Sequence, residues 1–154
     1  MNPKTRTCLW FQSSGFEAAQ FYVSLFPGSD IERTFQRASD TEPLVIDFTL
    51  TGTPYQILCA GPHFKLTEAA SISVATKDQA ETDHLWETLT ANGGEESQCG
   101  WLKDRYGLSW QIVPQRWIDL MHSPDGEAMQ RGFDALMQMK KIDLATLEKA
   151  FAGK

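Results

Sequence analysis

Two glutamines stand in matching surroundings. Gln56 lies in Tyr55-Gln56-Ile57-Leu58 and Gln111 in Trp110-Gln111-Ile112-Val113, each an aromatic, an amide and two aliphatics. A side-chain amide donates and accepts hydrogen bonds without carrying charge, so such groups orient a neutral polar ligand. They serve a divalent cation poorly, because it wants imidazole or carboxylate donors. Three further residues are weak catalytic candidates. Asp47 is the one carboxylate expected to point inward, and a raised pKa would make it a general base. Cys59 and His63, in Cys59-Ala60-Gly61-Pro62-His63-Phe64, could serve as nucleophile and base, although no third residue is visible to orient the base. His84 falls beside an apolar helical stripe and His122 near a helix end, where an imidazole is unremarkable.

The elements that must hold these groups are legible from periodicity. Thr7–Gln12 reads as a strand stopped by Ser13-Ser14-Gly15, and Phe16–Phe26 as a helix stopped by Pro27-Gly28. Ile31–Arg37 is expected as a second strand. In Leu44–Leu50, Leu44, Ile46, Phe48 and Leu50 share one face, and Val45, Asp47 and Thr49 the other. Thr51-Gly52-Thr53-Pro54 then turns the chain into a strand over Tyr55–Ala60. The order restarts with a strand at Ala70–Thr76, a helix at Asp78–Ala91 ended by Asn92-Gly93-Gly94, short strands near Glu95–Gln98 and Gly100–Lys103, a turn at Asp104–Gly107, and a closing strand at Leu108–Val113. Phe21-Tyr22-x-x-Leu25 overlays Leu85-Trp86-x-x-Leu89, and the same spacing puts Thr7 on Ser71. Each half reads β-α-β-β-β, the pattern of a duplication. Beyond Pro114, three helices are expected at Gln115–His122, Asp125–Lys140 and Asp143–Phe151, with Met129, Phe133, Leu136 and Met137 as a packing stripe.

Composition narrows the function classes. A chain of 154 residues with 42% hydrophobic and 22% charged residues is globular and the size of one ordinary domain. A net charge of −6 argues against nucleic acid as partner, since phosphate binding needs clustered Lys and Arg. Three cysteines (Cys8, Cys59 and Cys99), with no C-x-x-C spacing, fit neither a disulfide framework nor a zinc site and suggest reduced thiols in the cytoplasm. No apolar run is long enough to span a membrane, so no membrane partner is expected.

Several segments carry a family resemblance: Leu9-Trp10-Phe11, Glu17-Ala18-Ala19-x-Phe21-Tyr22, Phe26-Pro27-Gly28-Ser29, Gly61-Pro62-x-Phe64-Lys65, the run from Gln98 to Pro114, and Lys140-Lys141-Ile142-Asp143. Together they cover nearly the whole chain. The sequence resembles the PhnB-like (3-demethylubiquinone methyltransferase-like) branch of the glyoxalase, bleomycin resistance and extradiol dioxygenase group, the vicinal oxygen chelate superfamily. The resemblance implies an α+β fold in which two βαβββ modules form a curled mixed sheet around a cleft. It places the paired domain at residues 1–114, with modules at about 5–62 and 68–114, and a helical extension at 115–154 that packs on the domain or on a dimer partner. It also implies a homodimer.

Superfamily enzymes usually hold one divalent metal on first and last strands of the two modules. Carried over by motif, those positions fall near Thr7 and Ser71 and at Gln56 and Gln111, and the neighbours Cys8 and Ile72 do not supply the usual ligands. Hydroxyls and amides would leave the metal's charge uncompensated, so neither a metal nor another cofactor is expected. The methyltransferase label lacks its own signature, because Gly93-Gly94 stands alone and the strands are short and hairpin-linked. The expected cleft is lined by Leu9, Phe11, Asp47, Thr49, Gln56, Ser71, Ser73, Ser109 and Gln111, with Trp101 and Tyr106 at its rim. The favoured function is binding of a small, partly aromatic or amphipathic molecule whose identity is not readable. The alternatives are a metal-independent enzyme, the methyltransferase label included, and an interaction dimer with a vestigial cleft.

Overall fold

Alternating apolar positions become one-sided sheets, each with a helix on its apolar face. The structure is a computed structural model that describes residues 2–154. It divides into two compact units, one reaching Leu66 and the other running from Thr67 to Lys154.

The first unit is built from β1 (Thr7–Phe11), α1 (Gly15–Leu25), β2 (Asp30–Phe35), β3 (Val45–Leu50) and β4 (Thr53–Cys59). Its sheet has the order β1-β4-β3-β2, with β1 and β4 parallel and the other pairs antiparallel. The β3–β4 hairpin turns on Thr51 and Gly52, with φ of 47° and 87°, the left-handed pair that matches strand twist in a two-residue loop. Helix α1 covers the face bearing Phe48, Ile57 and Cys59. A Cβ on Gly15 would sit 2.7 Å from Ile57 Cγ2, so only glycine lets the helix start this close to the sheet. Ala18, Ala19 and Tyr22 on α1 and Leu9, Phe11, Ile46, Phe48 and Ile57 on the strands are buried, which makes this the core of the unit.

The second unit repeats the plan with β5 (Ser71–Thr76), α2 (Gln79–Thr90), β6 (Glu95–Glu96), β7 (Trp101–Lys103) and β8 (Ser109–Pro114), in the order β5-β8-β7-β6. β5 and β8 are parallel, and the rest antiparallel. Asp78 caps α2 by accepting the Glu81 N–H at 2.8 Å, and Glu81 reaches back to the Lys77 N–H at 2.6 Å. The helix buries Thr82, Leu85, Trp86 and Leu89. Thr82 shares a hydrogen bond of 2.6 Å with Thr76, and the Trp86 indole donates to Glu96 at 2.7 Å.

Three helices complete this unit: α3 (Gln115–Leu120), α4 (Gly126–Leu136) and α5 (Leu144–Phe151). Trp117, Leu120, Leu136, Ile142 and Leu147 form their core. The chain between α4 and α5 is stitched to the module: the Cys99 and Gly100 N–H groups donate to Met139 and Lys140 carbonyls, and Gln79 bonds both the Ile142 carbonyl and the Leu144 N–H. The expected helix to Lys140 ends at Leu136, because the Met139, Lys140 and Ile142 carbonyls are used in this stitching. The expected apolar stripe also divides. Leu136 is buried, whereas Phe133 and Met137 are exposed.

Candidate functional site

Each sheet has one face covered by its helix and one that carries the candidate residues. Strand register decides which is which. In the first unit Cys8 pairs with Gln56 and Asp47 pairs with Gln56, so these three share the face opposite α1. Trp10 and Thr49 lie on the same side by alternation. Leu9 and Phe11, expected there too, pair with Ile57 and Cys59 and are buried on the helix side. Their apolar character is spent on the core, and Cys8 and Trp10 take the positions assigned to them.

Asp47 is the hub of this face. Its Oδ2 accepts from Arg33 Nε at 2.6 Å, its Oδ1 accepts from Gln56 Nε2 at 2.8 Å, and Arg6 Nε lies 3.8 Å away. Arg6 also pairs with Glu32 and donates to the Tyr55 carbonyl at 3.2 Å. Burial alone would raise the Asp47 pKa, but the hydrogen bonds from Gln56 and Arg33 and the charges of Arg6 and Arg33 outweigh it and hold the carboxyl below its ordinary range. This reverses the raised pKa that a general base would need. Sequence reading missed Arg6 and Arg33. The place of Arg33 opposite Asp47 across β2 and β3 was the available signal, but it needs the register, and Arg6 lies just before β1.

The Cys59–His63 pair is not assembled. Cys59 lies on the helix side, where its thiol donates to Glu42 Oε1 at 3.0 Å. Burial, followed by that contact with a carboxylate, pushes the thiol up to about 11, so it stays protonated at neutral pH. His63 is exposed and stands beside Trp10, at 6.3 Å between ring centroids. Trp10 also packs edge-on to Phe64 at 4.8 Å and donates its indole N–H to the Gly61 carbonyl at 2.9 Å. Timed alkylation of the folded chain with peptide mapping should therefore label the exposed Cys8 well before Cys59, with Cys59 reacting at an appreciable rate only after unfolding. Equal labelling rates would contradict this placement.

In the second unit Ser71, Ser73, Ser109, Gln111, Trp101 and Lys103 share the face opposite α2, because Ser71 pairs with Ser109, Ser73 and Trp101 with Gln111, and Lys103 with Ser109. Gln111 Nε2 donates to Ser71 Oγ at 2.9 Å. By register the partner of Gln111 on the first strand is Ser73, as Cys8 is of Gln56. The sequence overlay of Thr7 on Ser71 is thus displaced in the strands, where Cys8 answers to Ser73. Three residues join β1 to α1 but two join β5 to α2, so strands and helices overlay at spacings that differ by one.

Tyr106 belongs to the turn between β7 and β8, which is organised by Asp104. The Asp104 carboxylate accepts from the Tyr106 N–H at 2.8 Å, the Leu108 N–H at 3.1 Å and the Trp110 indole at 2.8 Å. Asp104 and Trp110 are both buried.

A family model described as 3-demethylubiquinone-9 3-methyltransferase matches residues 3–113. The chain belongs to this family. Among solved structures it is similar to a Bacillus cereus protein named for PhnB and 3-demethylubiquinone-9 3-methyltransferase, with 27% identity over 73% of this chain and 99% of that one, and a TM-score of 0.67. It is also similar in fold to protein PA1353 from Pseudomonas aeruginosa, at 19% identity, 71% and 95% coverage and a TM-score of 0.57. A third is the fosfomycin resistance protein FosX from Listeria monocytogenes, solved with Mn(II) and sulfate, at 14% identity, 71% and 89% coverage and a TM-score of 0.53. No curated protein matches the chain significantly. The fold is that of the glyoxalase and bleomycin resistance superfamily, with two β-α-β-β-β modules followed by helices.

A divalent cation does not suit the donors that this family member offers. Cys8 is exposed, but partial desolvation of its thiol on the strand, then the charge of Asp47, raises its pKa, which disfavours the thiolate a metal needs. The oxygens of Asp47 already face two guanidinium groups. In the second unit Ser71, Ser73 and Gln111 present only neutral oxygens. Among the described residues no group of three or more His, Cys, Asp or Glu side chains is placed to hold a metal ion. Likewise, no helix among them is long and apolar enough to cross a membrane.

Proposed function

We propose that this protein binds a small, partly aromatic or amphipathic organic molecule on the helix-free sheet faces, oriented by its glutamines and packed against tryptophan, without a resident metal. The observation that carries this reading is the same arrangement in each unit. A glutamine sits mid-strand on the helix-free face, held by a neighbouring side chain (Asp47 for Gln56, Ser71 for Gln111), with a tryptophan on that face (Trp10 or Trp101). Amides fixed in this way present their carbonyl oxygens in a set direction, and an indole face packs a ring. Methyl transfer is not part of this proposal. Each sheet has a single parallel pair and hairpin connections, in place of the parallel α/β sheet and glycine-rich turn of the usual S-adenosylmethionine site.

The test is a nuclear magnetic resonance screen of the full chain with small aromatic alcohols, amides and acids. Binders should move the side-chain amide signals of Gln56 or Gln111 and the indole signals of Trp10 or Trp101. Gln111→Ala should weaken a binder at the second face by about tenfold, the effect of about 1.4 kcal/mol for one oriented hydrogen bond. Binders that shift only other residues would refute the reading, as would a screen with no binder.

A further inference from the structure

A cavity of about 120 Å³ lies on the second unit, lined by Glu68, Glu95, Ser97, Trp101, Lys103 and Ser109, with Glu96 and Leu102 completing the wall. Its floor is one cross-strand row on the helix-free face: Ser109 on β8 pairs with Lys103 on β7, which pairs with Glu95 on β6.

Two observations give this cavity a chemical preference. The first is charge. On the helix-free side two carboxylates, Glu68 and Glu95, line it against one ammonium, that of Lys103, which binds Glu68 at 2.6 Å although Glu95 is its partner in register. Glu96 is held by the Trp86 indole. One lysine leaves the cavity with an excess of negative charge. The second is Ser109, which is 1% exposed and whose Oγ has no hydrogen-bond partner among the described residues. A buried hydroxyl without a partner is uncommon and costly, and a ligand donor is one way to satisfy it.

We infer that this cavity is a subsite for a small organic cation, a primary ammonium group on a short aliphatic or aralkyl stem, received by Ser109 Oγ and Glu95 and flanked by Trp101. The ammonium has three N–H donors and a charge, and the cavity offers a hydroxyl, a carboxylate (Glu95) that shares the single lysine with Glu68, and an aromatic ring that favours cations. An anion would meet the carboxylates of Glu68 and Glu95. This inference deepens the proposed function and rests on the reading that the helix-free face of the second unit receives a ligand.

The test titrates the full chain with n-propylammonium, 1-propanol and propionate at constant ionic strength, reading the Ser109, Glu95 and Lys103 amides and the Trp101 indole by magnetic resonance. The amine should shift these signals with a millimolar midpoint, and the alcohol and acid should shift them at least tenfold less at equal concentration. Glu95→Gln, at an exposed site, should weaken the amine at least fivefold. Ser109→Ala should weaken it threefold or more while leaving Tm unchanged or higher, since the lost hydroxyl had no partner; a merely structural serine would lower Tm and leave the amine bound. Equal shifts by amine and alcohol, or an amine indifferent to both substitutions, would overturn the inference. If the amine fails while neutral aromatics still move Gln111, only the cation subsite falls. If neither acts on this face, the proposed function falls there as well.

Discussion

Asp104→Ala lowers the stability of the protein by about 3–5 kcal/mol, the largest effect expected of a single polar substitution here. The substitution removes one buried acceptor and strands three donors, the N–H groups of Tyr106 and Leu108 and the indole N–H of Trp110. Each buried donor left without a partner costs about 1–3 kcal/mol, and the partly buried Tyr106 N–H sits at the low end because water can reach it. Because the carboxylate joins the turn to a fully buried tryptophan of β8, its loss also loosens the packing of Trp110 against the core. Thermal unfolding should show a fall in Tm of about 10 °C, at about 2–4 °C per kcal/mol for a chain of this size. Asp104→Asn keeps one carbonyl oxygen but turns an amide donor toward one of the three, so about half the loss is expected. A fall below 3 °C for the alanine variant would show that the three bonds are replaceable.

Asp47→Asn produces the second large effect, and its signature is the pH dependence. The Asp47 carboxyl is held below its ordinary range in the folded chain, so the unfolded chain binds its proton first as pH falls. The stabilisation is fully present above the unfolded pKa of about 3.9 and is lost as pH drops through the lower folded value. Melting temperatures of the natural chain should fall as pH drops below about 5, and the variant should show a shallower fall. At pH 7 the variant should be less stable by about 1.5–3 kcal/mol. Full loss of a buried pair would cost more, but Arg33 is 66% exposed and screened by solvent, and Arg6 keeps Glu32. Parallel acid limbs for the two proteins would show that Asp47 is not held as described.

Most of the fold is legible in the sequence because its signals are local. Period-two alternation marks Val45–Leu50, the Thr51-Gly52 turn marks the hairpin, and Asp78 with Glu81 marks a helix start. The candidate faces are less legible, because the face a strand residue occupies depends on register with a distant partner. Leu9 and Phe11 illustrate this. Their alternation is clear, but only the pairing of Leu9 with Ile57 shows that they face the helix. Asp47 shows the same limit in electrostatics. Its burial is readable from its neighbours, whereas the arginines that help reverse its pKa shift come from β2 and from the residue before β1. The cavity beside Ser109 was legible in part: Ser109 and Trp101 were expected at the cleft, whereas Glu95 and Lys103 join them only through the pairing of β6 with β7 and of β7 with β8.

The unequal connections, three residues between β1 and α1 but two between β5 and α2, bear on how the gene for such a chain can change length. A residue gained or lost inside β4 or β8 would turn every later side chain of that strand over and send Gln56 or Gln111 under a helix. The same event at residues 12–14 or 77–78 leaves both strand and helix in phase. Codon insertions and deletions among relatives should therefore gather at these joints and spare residues 53–59 and 109–114. The joints work as expansion gaps that let two copies of one module drift apart in length while the direction of each glutamine is preserved.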